Sequence, residues 1–155
     1  MKHKKHFPAQ TLVEFALIIP IALFLIIGFF DLGRAVFYYS SISNMVREGA
    51  RYAIVDTSAA AGPYQNNIEF MNDYSFAIPA LNIEPDAPCD IEGPCTFSSQ
   101  NGILVITISR NSPTVSITGT YAFDPITPGI ALLLGESGTI NLVAQSTMRL
   151  SAHAR

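Results

Sequence analysis

Glu14 is the residue of this chain whose position most strongly suggests chemistry. It follows a basic leader, residues 1–9, and directly precedes an unbroken apolar run from Phe15 to Phe30. A charged group beside an apolar segment of membrane length is costly, so such residues usually serve a function and have a specific partner. We therefore expect Glu14 either to pair with a positive charge or to stay hydrated at the level of the lipid headgroups.

Residue types that serve in enzyme active sites are sparse. Two of the three histidines lie in the leader, and any Ser-His-Asp arrangement would depend on His153, the third residue from the end. Asp86, Asp90 and Glu92 lie in one segment, and we interpret them as solvated charges rather than as ligands of a divalent cation. The sequence has no Gly-rich phosphate loop. We expect no enzymatic activity, no cofactor and no metal site.

The two cysteines offer a different kind of chemistry. Cys89 and Cys95 are six positions apart, and Pro88, Gly93 and Pro94 make a tight loop of the segment between them. Outside the cytoplasm such a pair can form a disulfide. Two cysteines without a nearby histidine do not make a zinc site. A small disulfide-closed loop is the favoured interpretation, and a pair of unbonded thiols is the alternative.

The apolar run after Glu14 is long enough to cross a membrane. It contains about 16 residues, or about 19 with Leu12 and Val13, where a spanning helix needs roughly 17–25. Lysines lie on its N-terminal side and Asp31 on its C-terminal side, which predicts a cytoplasmic N-terminus. Residues from about Asp31 onward are then expected outside the cytoplasmic membrane, in a single-pass arrangement.

A cleaved secretory signal is the rival interpretation of the same run. Gly33-Arg34-Ala35 has small residues at the spacing used by signal peptidase, which would leave Val36 at the mature N-terminus. The run, however, is at or beyond the usual length of a signal core. The aromatic stretch 37–39 would also make an unusual mature start. These two features favour a retained membrane span.

Helical periodicity continues past the apolar run. No proline occurs between Asp31 and Val55, and apolar residues recur there at spacings of three and four. We predict one helix from about Thr11 to Val55, with Pro20 as a point where it can kink. The predicted apolar stripe consists of Leu32, Ala35, Val36, Tyr39, Ile42, Met45, Val46, Ala50, Ala53 and Ile54.

The remaining chain predicts a small α+β domain. Apolar spacing indicates a second, shorter helix near 65–76, followed by a loop rich in proline and acidic residues at 82–94. Alternation and β-branched residues predict three antiparallel strands. They cover 103–108, 114–123 and 140–150, with a turn at 111–113. The predicted organisation is a leader (1–9), a transmembrane helix (10–30), its extramembrane continuation (31–56) and an outer domain (57–155) with three or more strands packed on that continuation.

Charge argues against nucleic acid as a partner. Three of the nine lysines and arginines lie in the leader, so six remain against twelve acidic residues. The outer part is therefore mildly acidic and lacks the basic surface that nucleic-acid binding requires.

Two separated blocks resemble the TadE-like family, the minor pseudopilins of tight-adherence (Tad) pilus systems. The first is Gln10–Pro20 (QTLVEFALIIP) with its continuation Asp31–Ala35 (DLGRA), and the second is Asn44–Ala53 (NMVREGARYA). The resemblance covers about residues 8–55. It implies a pilin-like fold in which a long N-terminal helix, transmembrane and then amphipathic, packs on a small antiparallel sheet.

The resemblance also implies processing and assembly roles. A prepilin peptidase would cut between Ala9 and Gln10, with Ala9 standing where the family usually has glycine. Glu14 would then be the fifth residue of the mature chain. Its carboxylate could pair with the freed α-amino group of Gln10 on a neighbouring subunit, which happens only at the correct stagger of adjacent helices. Without the cut, the chain would remain an uncleaved signal anchor.

Charged residues in the two blocks are candidates for docking the helix onto its neighbours. Asp31 with Arg34, and Glu48 with Arg51, are spaced to pair at i, i+3, and Arg47 lies beside the second pair. The alternative is a solvated face, on which such pairs contribute little.

The expected function is that of a minor pseudopilin, a membrane-anchored structural or assembly component of a bacterial Tad pilus involved in cell adhesion. Expected partners are other pilins or pseudopilins, a prepilin peptidase and membrane lipid. The alternative is a bitopic protein whose outer domain binds a ligand or surface polymer without taking part in a pilus.

Overall fold

A long helix, α1 (Ala9–Val55), dominates the structure. The computed structural model describes residues 9–55, 64–74, 78–82, 84–89, 93–111, 113–127 and 138–149. At about 1.5 Å per residue, the 47 residues of α1 extend roughly 70 Å. Pro20 lies inside the helix without ending it, as membrane-spanning helices tolerate. The predicted single helix is confirmed.

A short second helix, α2 (Gln65–Asp73), follows. Tyr64 precedes it in the left-handed conformation, with φ of 63°. The amide nitrogen of Asn67 donates to the carbonyl oxygen of Gly49 in α1 over 3.0 Å. A methyl group on Gly49 would lie within 3 Å of the Met71 side chain, so the missing side chain lets α2 approach α1 closely. The helix ends three residues before its predicted limit.

Four strands form one antiparallel sheet in sequence order: β1 (Pro94–Ser98), β2 (Leu104–Asn111), β3 (Thr114–Phe123) and β4 (Ile140–Arg149). The last three are the predicted strands, and the hydroxyl of Thr114 closes the predicted turn by donating to the carbonyl of Asn111 over 2.9 Å. The α+β fold with a long N-terminal helix is confirmed. The short apolar patch at 130–134 lies outside the described residues.

β1 is a strand beyond the three whose positions the sequence predicts, and it begins at Pro94, where the predicted loop 82–94 ends. Its pairing with β2 explains its formation. Cys95 faces Ile108, and Phe97 faces Ile106, so that two residues of β1 are fully buried in the core. The strand is short and is stabilised by tertiary contacts rather than by a local pattern.

The core lies between the C-terminal half of α1 and one face of the sheet. Ile42, Met45, Val46, Ala50 and Ala53 of the helix are buried against strand residues. Alternation on β4 is as predicted, with Ala144 buried on the helix side. The opposite face of the sheet carries mainly hydroxyl and amide side chains, such as those at 107, 116, 118, 145 and 147.

The predicted apolar stripe is buried from Ile42 to Ala53, whereas three of its four members before Ile42 are exposed. Leu32, Val36 and Tyr39 are all exposed, with Leu32 at 60%. Apolar residues occur all around this part of the helix, so spacing alone could not choose a face. The sheet lies instead against the side that carries Asp31 and Tyr38.

Candidate functional site: an exposed apolar helix and the junction at its end

The N-terminal half of α1 presents an apolar surface on every side. It includes an 18-residue window that is long and apolar enough to cross a membrane, and none of that window is buried. Leu12, Phe15 and Phe30 are each more than 60% exposed. Exposing this apolar surface to water would be strongly unfavourable, whereas a helix that crosses a lipid bilayer is expected to have such a surface. The structure is therefore consistent with single-pass membrane anchoring.

Glu14 lies on this exposed half, one helical turn after Gln10. Ala9 is the first residue of α1, so the predicted cleavage point falls at the very start of the helix. The leader before Ala9 lies outside the described residues. Cleavage between Ala9 and Gln10 and charge pairing by Glu14 stay predictions.

A buried carboxylate marks the point where the helix meets the outer domain. Asp31 is only 5% exposed. Its two carboxylate oxygens accept hydrogen bonds from the backbone N–H groups of Ile126, over 3.1 Å, and Thr127, over 2.6 Å. The hydroxyl of Thr127 also donates to it, as does the Arg34 guanidinium over 3.2 Å. We call Asp31, Ile126 and Thr127 the junction.

The electrostatics of the junction favour a charged Asp31. Burial by itself raises the pKa of this carboxyl. The hydrogen bonds from Thr127, Ile126 and Arg34 outweigh burial and leave the pKa below its ordinary value. A carboxylate that accepts several charge-assisted hydrogen bonds holds the donating segment in one position. The junction thus fastens the segment after β3 to one point on α1.

Aromatic contacts extend the junction along the helix. The rings of Tyr38 and Tyr121 stack with centroids 5.0 Å apart. The Arg34 guanidinium lies 5.3 Å from the centre of the Phe123 ring, within range of a cation–π interaction. Tyr38 of the aromatic stretch 37–39 therefore packs on the sheet. Phe37 and Tyr39 are about half exposed, and a shallow apolar groove runs along α1 between Phe29 and Tyr38.

The other docking candidates on α1 lie at the surface. The Arg51 guanidinium is 3.3 Å from the carboxylate of Glu48, at the predicted i, i+3 spacing. Arg51 and Arg47 are both exposed. A docking role for these three residues stays a prediction.

The Cys89–Cys95 disulfide is present, with Cα atoms 5.3 Å apart. It ties the loop of residues 84–89 to β1. Asp86 fastens the same loop, because its carboxylate accepts from the backbone N–H and the hydroxyl of Ser98. Within the ranges that the structure describes, no group of three or more His, Cys, Asp or Glu residues could hold a metal ion. Asp90 and Glu92 lie outside those ranges.

Sequence reasoning missed the partner residues of Asp31. Ile126 and Thr127 are 95 and 96 positions away in a loop without a recognisable motif. The only available signal was a carboxylate at the end of an apolar run. A carboxylate that becomes buried needs hydrogen-bond donors, but the sequence does not identify the residues that provide them.

Comparison with known proteins bears on the helix alone. Neither a curated protein nor a solved structure gives a significant match to the chain. The model of the family described as TadE-like protein matches residues 9–51, which cover nearly all of α1 and include Glu14, Asp31 and Arg34. This match confirms the resemblance of residues 9–51 to the TadE-like family.

Proposed function

We propose that this protein is a minor pseudopilin of a bacterial Tad-type pilus. The N-terminal half of α1 holds it in the cytoplasmic membrane, and the sheet domain lies outside the cytoplasm. The observation that carries the proposal is the division of the TadE-like helix into two halves. One half exposes apolar side chains on all sides, and the other half is built into a folded domain.

A helix exposed in this way has lipid or other helices as its neighbours. Lipid tails are as apolar as leucine, so hydrophobicity alone does not select a partner or a register between spanning helices. A charged group at the edge of the apolar segment does select one, because only certain registers bring a counter-charge close to it. Glu14 supplies that charge, and the α-amino group of a processed Gln10 on a neighbouring subunit is the counter-charge.

The substitution Glu14→Ala tests this assignment. We expect the outer domain to melt at the same temperature as in the wild type. Its core is formed by the part of α1 from Ile42 onward and by the strands, far from Glu14. Membrane insertion should persist or improve, since a costly charge is removed. Cross-linking to and co-purification with partner pilins should be lost. Glu14→Gln keeps the shape and polarity but removes the charge, so it separates ion pairing from packing.

The matched control is Glu69→Ala, which removes an exposed carboxylate from α2 in the outer domain. It should leave association with partner pilins closer to wild type than Glu14→Ala does. Normal assembly of the Glu14→Ala variant with a changed melting temperature would show that Glu14 is a structural residue and would contradict the proposal. The rival, an anchored binding module, requires neither lateral helix contacts nor cleavage.

A further inference from the structure

β3 extends along α1 in the direction of the helix's N-terminal half. Gly119 lies against Ile42 and Val46, close enough that a methyl group there would be within 3 Å of both side chains. Two residues later, Tyr121 stacks on Tyr38. The segment after the strand then reaches Asp31. Contacts on β3 thus move toward the N-terminal, apolar half of α1 as the strand proceeds.

The level of Asp31 corresponds to the edge of the bilayer. The 19 residues from 12 to 30 rise about 28 Å, which matches a hydrocarbon layer of about 30 Å. The headgroup region adds roughly 5–7 Å on each side. A backbone hydrogen-bonded directly to the Asp31 carboxylate therefore lies within that region.

Ile126 is the apolar residue at this place. Its backbone N–H donates to Asp31, but its side chain is 67% exposed. Phe29 and Phe30, which directly precede Asp31 at the end of the span, are exposed to a similar extent. The exposed side chain of Ile126 therefore lies at the level where the span ends, and lipid headgroups are its expected neighbours there.

We propose that Ile126 makes a second contact with the bilayer, among the headgroups of the outer leaflet. The protein is then held at the membrane by the span and by the loop that the junction fixes beside it. The second contact restricts the tilt of the helix, because tilting away from this side would lift Ile126 out of the headgroups. This inference rests on the membrane anchoring included in the proposed function.

The depth of a fluorophore tests the proposal. Both native cysteines are in the disulfide, so an introduced cysteine is the single free thiol. The full chain is labelled with NBD in three variants, I126C, F24C and V143C, and is reconstituted into phosphatidylcholine vesicles that carry nitroxide quenchers at the headgroup or deep in the acyl chain. Val143 is the matched control because it is also β-branched and half exposed, but it lies on the sheet face away from α1.

We expect the label at 126 to be quenched by headgroup nitroxides and to emit at shorter wavelength than the label at 143. The label at 24 should be quenched by the deep nitroxide. Equal quenching at 126 and 143, together with deep quenching at 24, would overturn the second contact and leave the anchoring intact. Failure of quenching at 24 would instead overturn the membrane anchoring on which the inference rests.

Discussion

At the scale of single residues, Asp31 contributes more to this fold than its surroundings in the sequence suggest. Its predicted partner, Arg34, is present, but it is only one of several donors. The backbone of Ile126 and the backbone and hydroxyl of Thr127 supply the others. Because these donors converge on one buried carboxylate, removing its charge leaves several of them without an acceptor. The unmade bonds, rather than the ion pair, dominate the cost.

Asp31→Asn should therefore destabilise the outer domain by about 1–3 kcal/mol, since the amide nitrogen would replace one oxygen and face the backbone N–H of either Ile126 or Thr127, which would lose its acceptor. Thermal melting in detergent measures the loss, and hydrogen exchange should show faster exchange at the amides of 126 and 127. Glu48→Gln makes the same chemical change on the exposed face of α1 and should shift stability by less than about 0.5 kcal/mol. Equal melting of the two variants would contradict a structural role for the junction.

At the scale of elements, two close contacts determine how the outer domain assembles on α1. Gly119 lets the sheet lie directly on the helix, where a methyl group would meet Ile42, Val46 and Ile106 at 2.8 to 3.0 Å. At the far edge of the sheet, the disulfide holds an otherwise irregular segment along β1. Both features control how the elements pack on one another. Local secondary-structure propensity does not determine this packing.

Gly119→Ala should destabilise the domain by about 1–2 kcal/mol. Overpacking against two β-branched side chains of the helix costs about 1–3 kcal/mol, and the lower entropy of the unfolded chain offsets up to about 1 kcal/mol. Chemical denaturation of the outer domain provides the measurement. Gly33→Ala is the control, since a methyl group there meets nothing within 4 Å. A Gly119→Ala variant as stable as the wild type would show that the sheet does not lie so close to α1.

Removing the disulfide should cost about 2 kcal/mol, the chain-entropy value for a seven-residue ring, and should lower the melting temperature by roughly 10 °C. Cys89→Ser combined with Cys95→Ala avoids burying a hydroxyl group, because Cys95 is fully buried. Non-reducing peptide mapping of the native protein should recover the linked pair. Two free thiols in protein taken from an oxidising compartment would disprove the linkage there.

At the scale of the whole molecule, one continuous helix serves two environments. Among the described residues, its N-terminal half exposes apolar side chains on all sides, as a membrane span would, and its C-terminal half supplies the core of the outer domain. Processing at Ala9 would remove only the basic leader and would leave both halves intact. A cut after Ala35 would instead remove the span together with Asp31 and Arg34, and so would abolish the junction.

Co-expression with a cognate prepilin peptidase should remove nine residues and leave Gln10 at the mature N-terminus. Intact mass and N-terminal sequencing of protein purified from the membrane measure this directly. Ala9→Gly matches the usual family residue and should be cut at least as well. A mature chain starting at Val36 would establish the secretory-signal rival, and an intact Met1 in a peptidase-positive host would indicate a permanent anchor.

The sequence by itself determined the elements whose signals are local. The apolar run and its continuation without proline predicted α1, alternation predicted β2 to β4, and the loop composition predicted the disulfide. Only the tertiary structure decided which face of the helix near Asp31 meets the sheet, that β1 forms, and that Ile126 and Thr127 hold Asp31. These outcomes depend on contacts between residues far apart in the chain. A periodic pattern reports burial along one element, but it does not identify the element that provides the burial.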